Sequence, residues 1–168
     1  MSKGIENMTS LNDDIQEYTA QLQNGQIQRA YKGIMDFMSS FKAHMERKLP
    51  EYAASALYQG YMDMTYFALT PPALKGKKLK IAVVYLHMEN RFECWLAGAN
   101  RKVQADYIGL LRGKYIGGYA LSEPAPGVDS IIEAILLQQP NFDEPESLKI
   151  LLELKVVEFK NIMLSAII

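Results

Sequence analysis

Residues 79–97 constrain this chain more than any other segment. Ile81, Ala82, Val83, Val84 and Tyr85 form an unbroken apolar run, the pattern of a central strand covered on both faces. A second run, residues 91–97, follows it, and Glu89-Asn90 between them is turn chemistry. The two arms predict an antiparallel hairpin inside a sheet. With Glu89-Asn90 alone as the loop, Leu86 pairs with Glu93 and Val84 with Trp95. Side chains alternate along a strand, so Phe92, Cys94 and Leu96 face a core while Arg91, Glu93 and Trp95 face the other way.

The segments before the hairpin read as helix and then strand. Ser10 with Asp13 forms a capping-box pattern ahead of Ile15, Tyr18 and Leu22. Asn24-Gly25 ends that helix, because glycine accepts the left-handed backbone of a C-cap. Ile27, Tyr31, Ile34, Met38, Phe41 and Met45 then recur at gaps of four and three down one helix face, and Pro50 closes the run. A helical hairpin through Gly25 is predicted. Residues 61–69 are mostly aromatic, β-branched or methionine and read as a strand, followed by a basic linker over 72–78.

Downstream, residues 100–111 have helical spacing, residues 115–121 read as a strand broken by Gly117-Gly118, and Val128, Ile131, Ile132, Ile135 and Leu136 read as a helix with Asp129 at its start. A last helix is predicted over about residues 146–163. The whole is an α+β fold: an antiparallel sheet of three to five strands, with the N-terminal helical hairpin and C-terminal helices packed on it. Residues 1–10 are expected to be a loose tail and residues 11–168 a single domain.

Composition narrows the function classes. Eighteen Lys and Arg stand against nineteen Asp and Glu, which gives no general pull toward nucleic acid or an anionic membrane. One cysteine, Cys94, makes no internal disulfide, and His44 and His87 lie far apart, so neither a disulfide framework nor a Cys/His zinc site is expected. No segment reaches the roughly 20 apolar residues of a membrane span. The expected setting is a reducing cytoplasm. Phosphate-binding glycine loops and the nucleophile-elbow motif are absent from the sequence, and no cofactor is called for.

Chemistry concentrates at three places. The face bearing Arg91, Glu93 and Trp95 mixes apolar and charged residues, as ligand sites do; an Arg91–Glu93 ion pair with Trp95 under a helix is the structural alternative. Asp63 lies in an otherwise apolar and aromatic stretch, where a carboxylate needs a hydrogen-bond partner or a ligand. Asn100, Arg101, Lys102 and Gln104, directly after the second arm, offer polar groups to a phosphate or carboxylate, or else begin a solvated helix. Asp63 with Glu93 also resembles the acidic pair of restriction-type, metal-dependent nucleases. Those carry a lysine two residues after the second acid, where this chain has Trp95, and Lys80 is a substitute by position only.

Residues 60–67 (GYMDMTYF) and 91–98 (RFECWLAG) followed by 100–104 (NRKVQ), together with residues 30–35 and 127–133, resemble a family of small prokaryotic proteins described as a domain of unknown function. The resemblance runs from about Leu11 to the C-terminus. It implies that Asp63, Arg91, Glu93, Trp95 and residues 100–104 belong to one unit, and it implies no activity. The leading expectation is a binding module holding a small polar or anionic ligand, or a peptide, against the Trp95 face. A hydrolase using Asp63 and Glu93, metal-dependent or acid/base, and an interaction subunit without a pocket are the alternatives.

Overall fold

A computed structural model describes residues 9–168. They form two compact units, one ending at Asp36 and one spanning Phe37–Ile168. The loose tail expected over residues 1–10 lies outside the described residues except for Thr9 and Ser10.

In the first unit, α1 (Leu11–Asn24) begins with the predicted capping box: Ser10 Oγ accepts from Asp13 N–H at 3.2 Å, and Asp13 accepts from Ser10 N–H at 3.1 Å. Gly25 ends α1 with φ of 75°, a left-handed backbone that a β-carbon disfavours. The next helix, α2 (Gln26–Lys48), starts at the following residue.

The second unit holds the sheet. β1 (Ala53–Ala54), β2 (Met64–Thr70), β3 (Leu79–Leu86), β4 (Arg91–Gly98), β5 (Ala120–Leu121) and β6 (Ser130–Gln138) form six strands in the order β1-β2-β3-β4-β6-β5. Every neighbouring pair is antiparallel. Three helices complete the unit: α3 (Pro72–Lys75), α4 (Arg101–Leu111) and α5 (Pro145–Ile167). Among the described residues no helix is long and apolar enough to cross a membrane.

Six strands replace the expected three to five, chiefly because the segment read as a helix from Val128 to Leu136 is β6. A helical spacing and a strand both fit so short an apolar run. Pairing decides, since β6 lies along β4 for its whole length. The alternation shows in burial, with Ile132, Ala134 and Leu136 inside and Glu133 and Ile135 outside. Only one C-terminal helix therefore remains, and Asp129 caps no helix. Of residues 115–121, only Ala120–Leu121 pair as a strand. The strand expected from residue 61 begins at Met64, which leaves Asp63 in the preceding turn.

The hairpin exists with a longer loop than expected. Leu86 pairs with Arg91, Val84 with Glu93 and Ala82 with Trp95, so four residues, 87–90, make the turn. Asn90 closes it with φ of 48° and donates its N–H to His87 O at 3.3 Å. The register moved by two residues, one full period, so every side chain kept its face.

One face of the sheet is the core. Leu69, Ile81, Leu96 and Ile132 lie across it in one row, and Phe67, Val83, Cys94 and Ala134 in the next, all at most 2% exposed. From Phe37 onward α2 packs on this face: the Phe37 ring lies 5.8 Å from Phe92 and Phe41 lies 5.9 Å from Phe67. Two contacts tie α5 to α2, His44 Nε2 to Glu153 Oε2 at 2.7 Å and Lys149 Nζ to Ser40 Oγ at 3.1 Å.

Candidate functional site

The opposite face sets small side chains, Ala68, Ala82, Val84 and Ala97, among larger ones along the sheet's central strands. Tyr66, Val84 and Glu93 form one row across β2, β3 and β4, while Ala68, Ala82 and Trp95 form the next. Lys80 and Ala97 pair in the row beyond. A cavity of about 670 Å³ lies on this face, within the size range of small-molecule sites. Ala82, Val84 and Ala97 lie under it, Tyr58 and Tyr66 line the β2 side, and Trp95 lines the β4 side. Asp63 lines the end where β2 begins, and Lys80, Asn100 and Arg101 line the other end. Among its lining residues only Arg101 and Gln104 belong to a helix.

Trp95 is held from behind. Its Nε1–H donates to Glu93 Oε1 at 2.8 Å, and Arg91 Nε–H donates to Glu93 Oε2 at 2.5 Å. Both oxygens of a carboxylate that is only 2% exposed are therefore engaged. A buried carboxylate is stable only when paired and hydrogen-bonded, and here the pairing fixes the indole's direction. Neither Arg91 nor Glu93 lines the cavity.

A strained turn places Asp63. Gly60 has φ of 75°, and a β-carbon there would fall 2.0 Å from Met64 O, so only glycine fits the turn. Asp63 Oδ1 accepts from Tyr61 N–H at 2.9 Å. That backbone N–H, and next that of Met64, hold its carboxyl below the ordinary carboxylate value. Asp63 is exposed, and the cost of burial expected from its apolar neighbours does not arise. The Asp63 carbonyl accepts from His87 N–H at 3.0 Å, which ties the turn to the hairpin loop.

Residues 100–104 divide by role. Asn100 caps α4 by accepting from Val103 N–H at 2.9 Å. Gln104, 2% exposed, donates through Nε2 to Val128 O and Ser130 O, each at 2.9 Å. Arg101 donates to Gln104 Oε1 and to Val128 O, and lies 3.5 Å from Asp129. The polar cluster thus pins the loop before β6 against the start of α4. Lys102 points away, 83% exposed and paired with Asp106 at 2.7 Å.

Of the residues singled out from sequence, the fold brings Asp63, Trp95, Asn100, Arg101 and Gln104 around one cavity, together with Lys80, named there only as a positional substitute for a nuclease lysine, while Arg91 and Glu93 support it and Lys102 stands outside. Tyr58 and Tyr66 join it without having been singled out as site residues. The hairpin parity gives Lys80 the same face as Trp95, a signal readable from sequence. Tyr58 arrives through an isolated backbone bridge to Tyr66, which no local pattern announces. Among the described residues no group of three or more His, Cys, Asp or Glu side chains is placed to hold a metal ion. Cys94 is fully buried, and burial pushes its thiol well up from the ordinary value.

His87 supplies a pH test of this region. Thr65 Oγ1 donates to Gln59 O at 2.6 Å, so His87 Nε2, 2.8 Å from Thr65 Oγ1, is the donor of that pair. Burial holds His87 below the ordinary histidine value, against an upward pull from Asp63. A base with a lower pKa folded than unfolded takes up a proton on unfolding. Its stabilisation is full above about pH 6.5 and is lost as pH falls through the folded pKa. Urea unfolding at about pH 7.5 and about pH 5.5 is expected to show lower stability at the acid end. His87→Gln is expected to remove part of that difference; an unchanged difference would clear His87 of it.

Fold and cavity together define the class: an α+β protein whose six-stranded antiparallel sheet buries one face and carries a cavity on the other. The chain belongs to the family described as Domain of unknown function (DUF7000), whose model matches residues 11–167. No curated protein and no solved structure matches the chain.

Proposed function

We propose that this protein is a binding module that holds a small polar or anionic ligand, or a short peptide, on the sheet face beside Trp95. The observation that carries this reading is a cavity of ligand size walled by an indole already fixed through Glu93 and Arg91. A wall ordered before binding lowers the entropy cost of association. The alternative of a hydrolase using Asp63 and Glu93 has less support, because Glu93 is sequestered and only Asp63 lines the cavity.

A thermal-shift screen of polar and anionic small molecules and short peptides tests the reading. Compounds that raise the unfolding temperature of the native protein are expected to lose that effect in Ala82→Phe, which fills the floor, and in Trp95→Leu, which removes the wall. A ligand at about 100 times its Kd contributes about 2.7 kcal/mol, a shift of several degrees. Compounds that stabilise native protein and both variants equally, or no stabilising compound at all, would reject the site.

A further inference from the structure

The shape and charge of the cavity narrow its ligand further. Neighbouring strands lie about 4.8 Å apart, so β2 and β4 are separated by about 10 Å across β3. Tyr66 stands on β2 beside Val84 and Trp95 on β4 beside Ala82, one row further along, so their backbone positions lie diagonally about 12 Å apart. Between them β3 presents only Ala82 and Val84 toward the cavity. That low floor is a slot that a flat ring enters with an aromatic side chain at each diagonal corner. Both walls are braced: Trp95 by Glu93, and Tyr66 by Tyr58, whose ring centroid lies 4.9 Å away and whose backbone exchanges two hydrogen bonds with it.

Four charged side chains line the cavity: Asp63, Asp129, Arg101 and Lys80. Asp63 is turned onto the Tyr61 N–H, and Arg101 already bonds Gln104, Val128 O and Asp129. Lys80 alone of the four has no hydrogen-bond or ion-pair partner among the described residues. It stands two residues from Ala82 on the same face, about 6.7 Å along the strand from the floor of the slot. Lys80 is therefore the cavity's unpaired cation, one short step from the place where a ring would sit, while Asp63, also without an ion pair among the described residues, stands at the far end where β2 begins.

We infer that the cavity takes a compact aromatic anion: a flat ring between Tyr66 and Trp95, joined by a short link to a phosphate or carboxylate that pairs with Lys80. This inference rests on the binding reading above and names its ligand class. Trp95 is the only tryptophan in the chain, so its fluorescence reports the slot directly. The probes are adenosine 5′-monophosphate and phenylacetate, each a ring with an anion; adenosine, a ring without one; and ribose 5-phosphate, an anion without a ring.

At low salt, one or both ring-bearing anions are expected to change Trp95 fluorescence saturably, with affinity at least about tenfold above adenosine and ribose 5-phosphate. Which of the two binds separates a phosphate from a carboxylate. Lys80→Met is expected to weaken the anion about tenfold and leave adenosine unchanged. Equal affinity for ribose 5-phosphate or adenosine would overturn the ligand class while leaving a binding site in place. Unchanged anion affinity in Lys80→Met would overturn the assigned charge pairing. No saturable change with either ring-bearing anion would overturn the inference outright, and the Ala82→Phe screen would then decide the binding reading separately.

Discussion

Phe92→Ala is expected to lower the unfolding free energy by about 4 kcal/mol. The Phe92 ring is fully buried and lies 5.8 Å from Phe37, 5.1 Å from Tyr85 and 6.0 Å from Phe142. Truncation removes the burial of the ring and all three aromatic contacts, and the void closes poorly because β4 is paired on both sides, to β3 and to β6. Urea unfolding should show a lower midpoint with an unchanged slope. Phe92→Leu, which refills most of the volume, should cost under half as much. The folded protein's tryptophan emission should stay as it is in both variants, because Phe92 and Trp95 project from opposite faces of β4. A loss below about 1.5 kcal/mol in Phe92→Ala would mean that the aromatic cluster is not the core of the second unit.

The difference between those two faces is legible in the sequence alone, because alternation along β4 needs no partner to be read. Phe92, Cys94 and Leu96 are fully buried as alternation requires, and even a two-residue error in the hairpin loop left both faces intact. The Ser10 and Gly25 caps of α1 were equally readable, since a cap is local chemistry. β6 was not. Isoleucines at 131, 132 and 135 suit a helix stripe and a strand alike, and what makes them a strand is β4, more than thirty residues upstream in the chain. The site shows the same division. Asp63, Trp95, Asn100 and Arg101 could be picked out by residue type and position. Their assembly depends on β2 pairing with β3, on Tyr58 bridging to Tyr66, and on Gln104 anchoring the loop before β6. The role of Glu93 was the hardest to foresee. As a charge beside Arg91 on a mixed face it looked available to a ligand, and its burial became apparent only once its neighbours on β3 and β6 were in place.

That role gives the second large expected effect. Glu93→Ala should cost about 3 kcal/mol, because it leaves the Trp95 N–H and the Arg91 guanidinium without their acceptor in a place where Glu93 is only 2% exposed. Glu93→Gln should cost about half as much, roughly 1.5 kcal/mol: the amide oxygen still accepts from Trp95, but the amide nitrogen now faces Arg91, so that pair loses both its charge and its acceptor. Arg91 is itself 29% exposed, so water takes up part of its lost pairing and keeps the penalty small. Tryptophan emission separates the two variants independently of stability. In Glu93→Ala the indole is freed, and its emission should shift to the red with lower anisotropy; in Glu93→Gln both should stay near the native values. If the two variants destabilise equally, the charge rather than the indole hydrogen bond is what Glu93 supplies. If emission is native in both, packing alone holds Trp95, and the wall of the cavity does not depend on the buried pair beneath it.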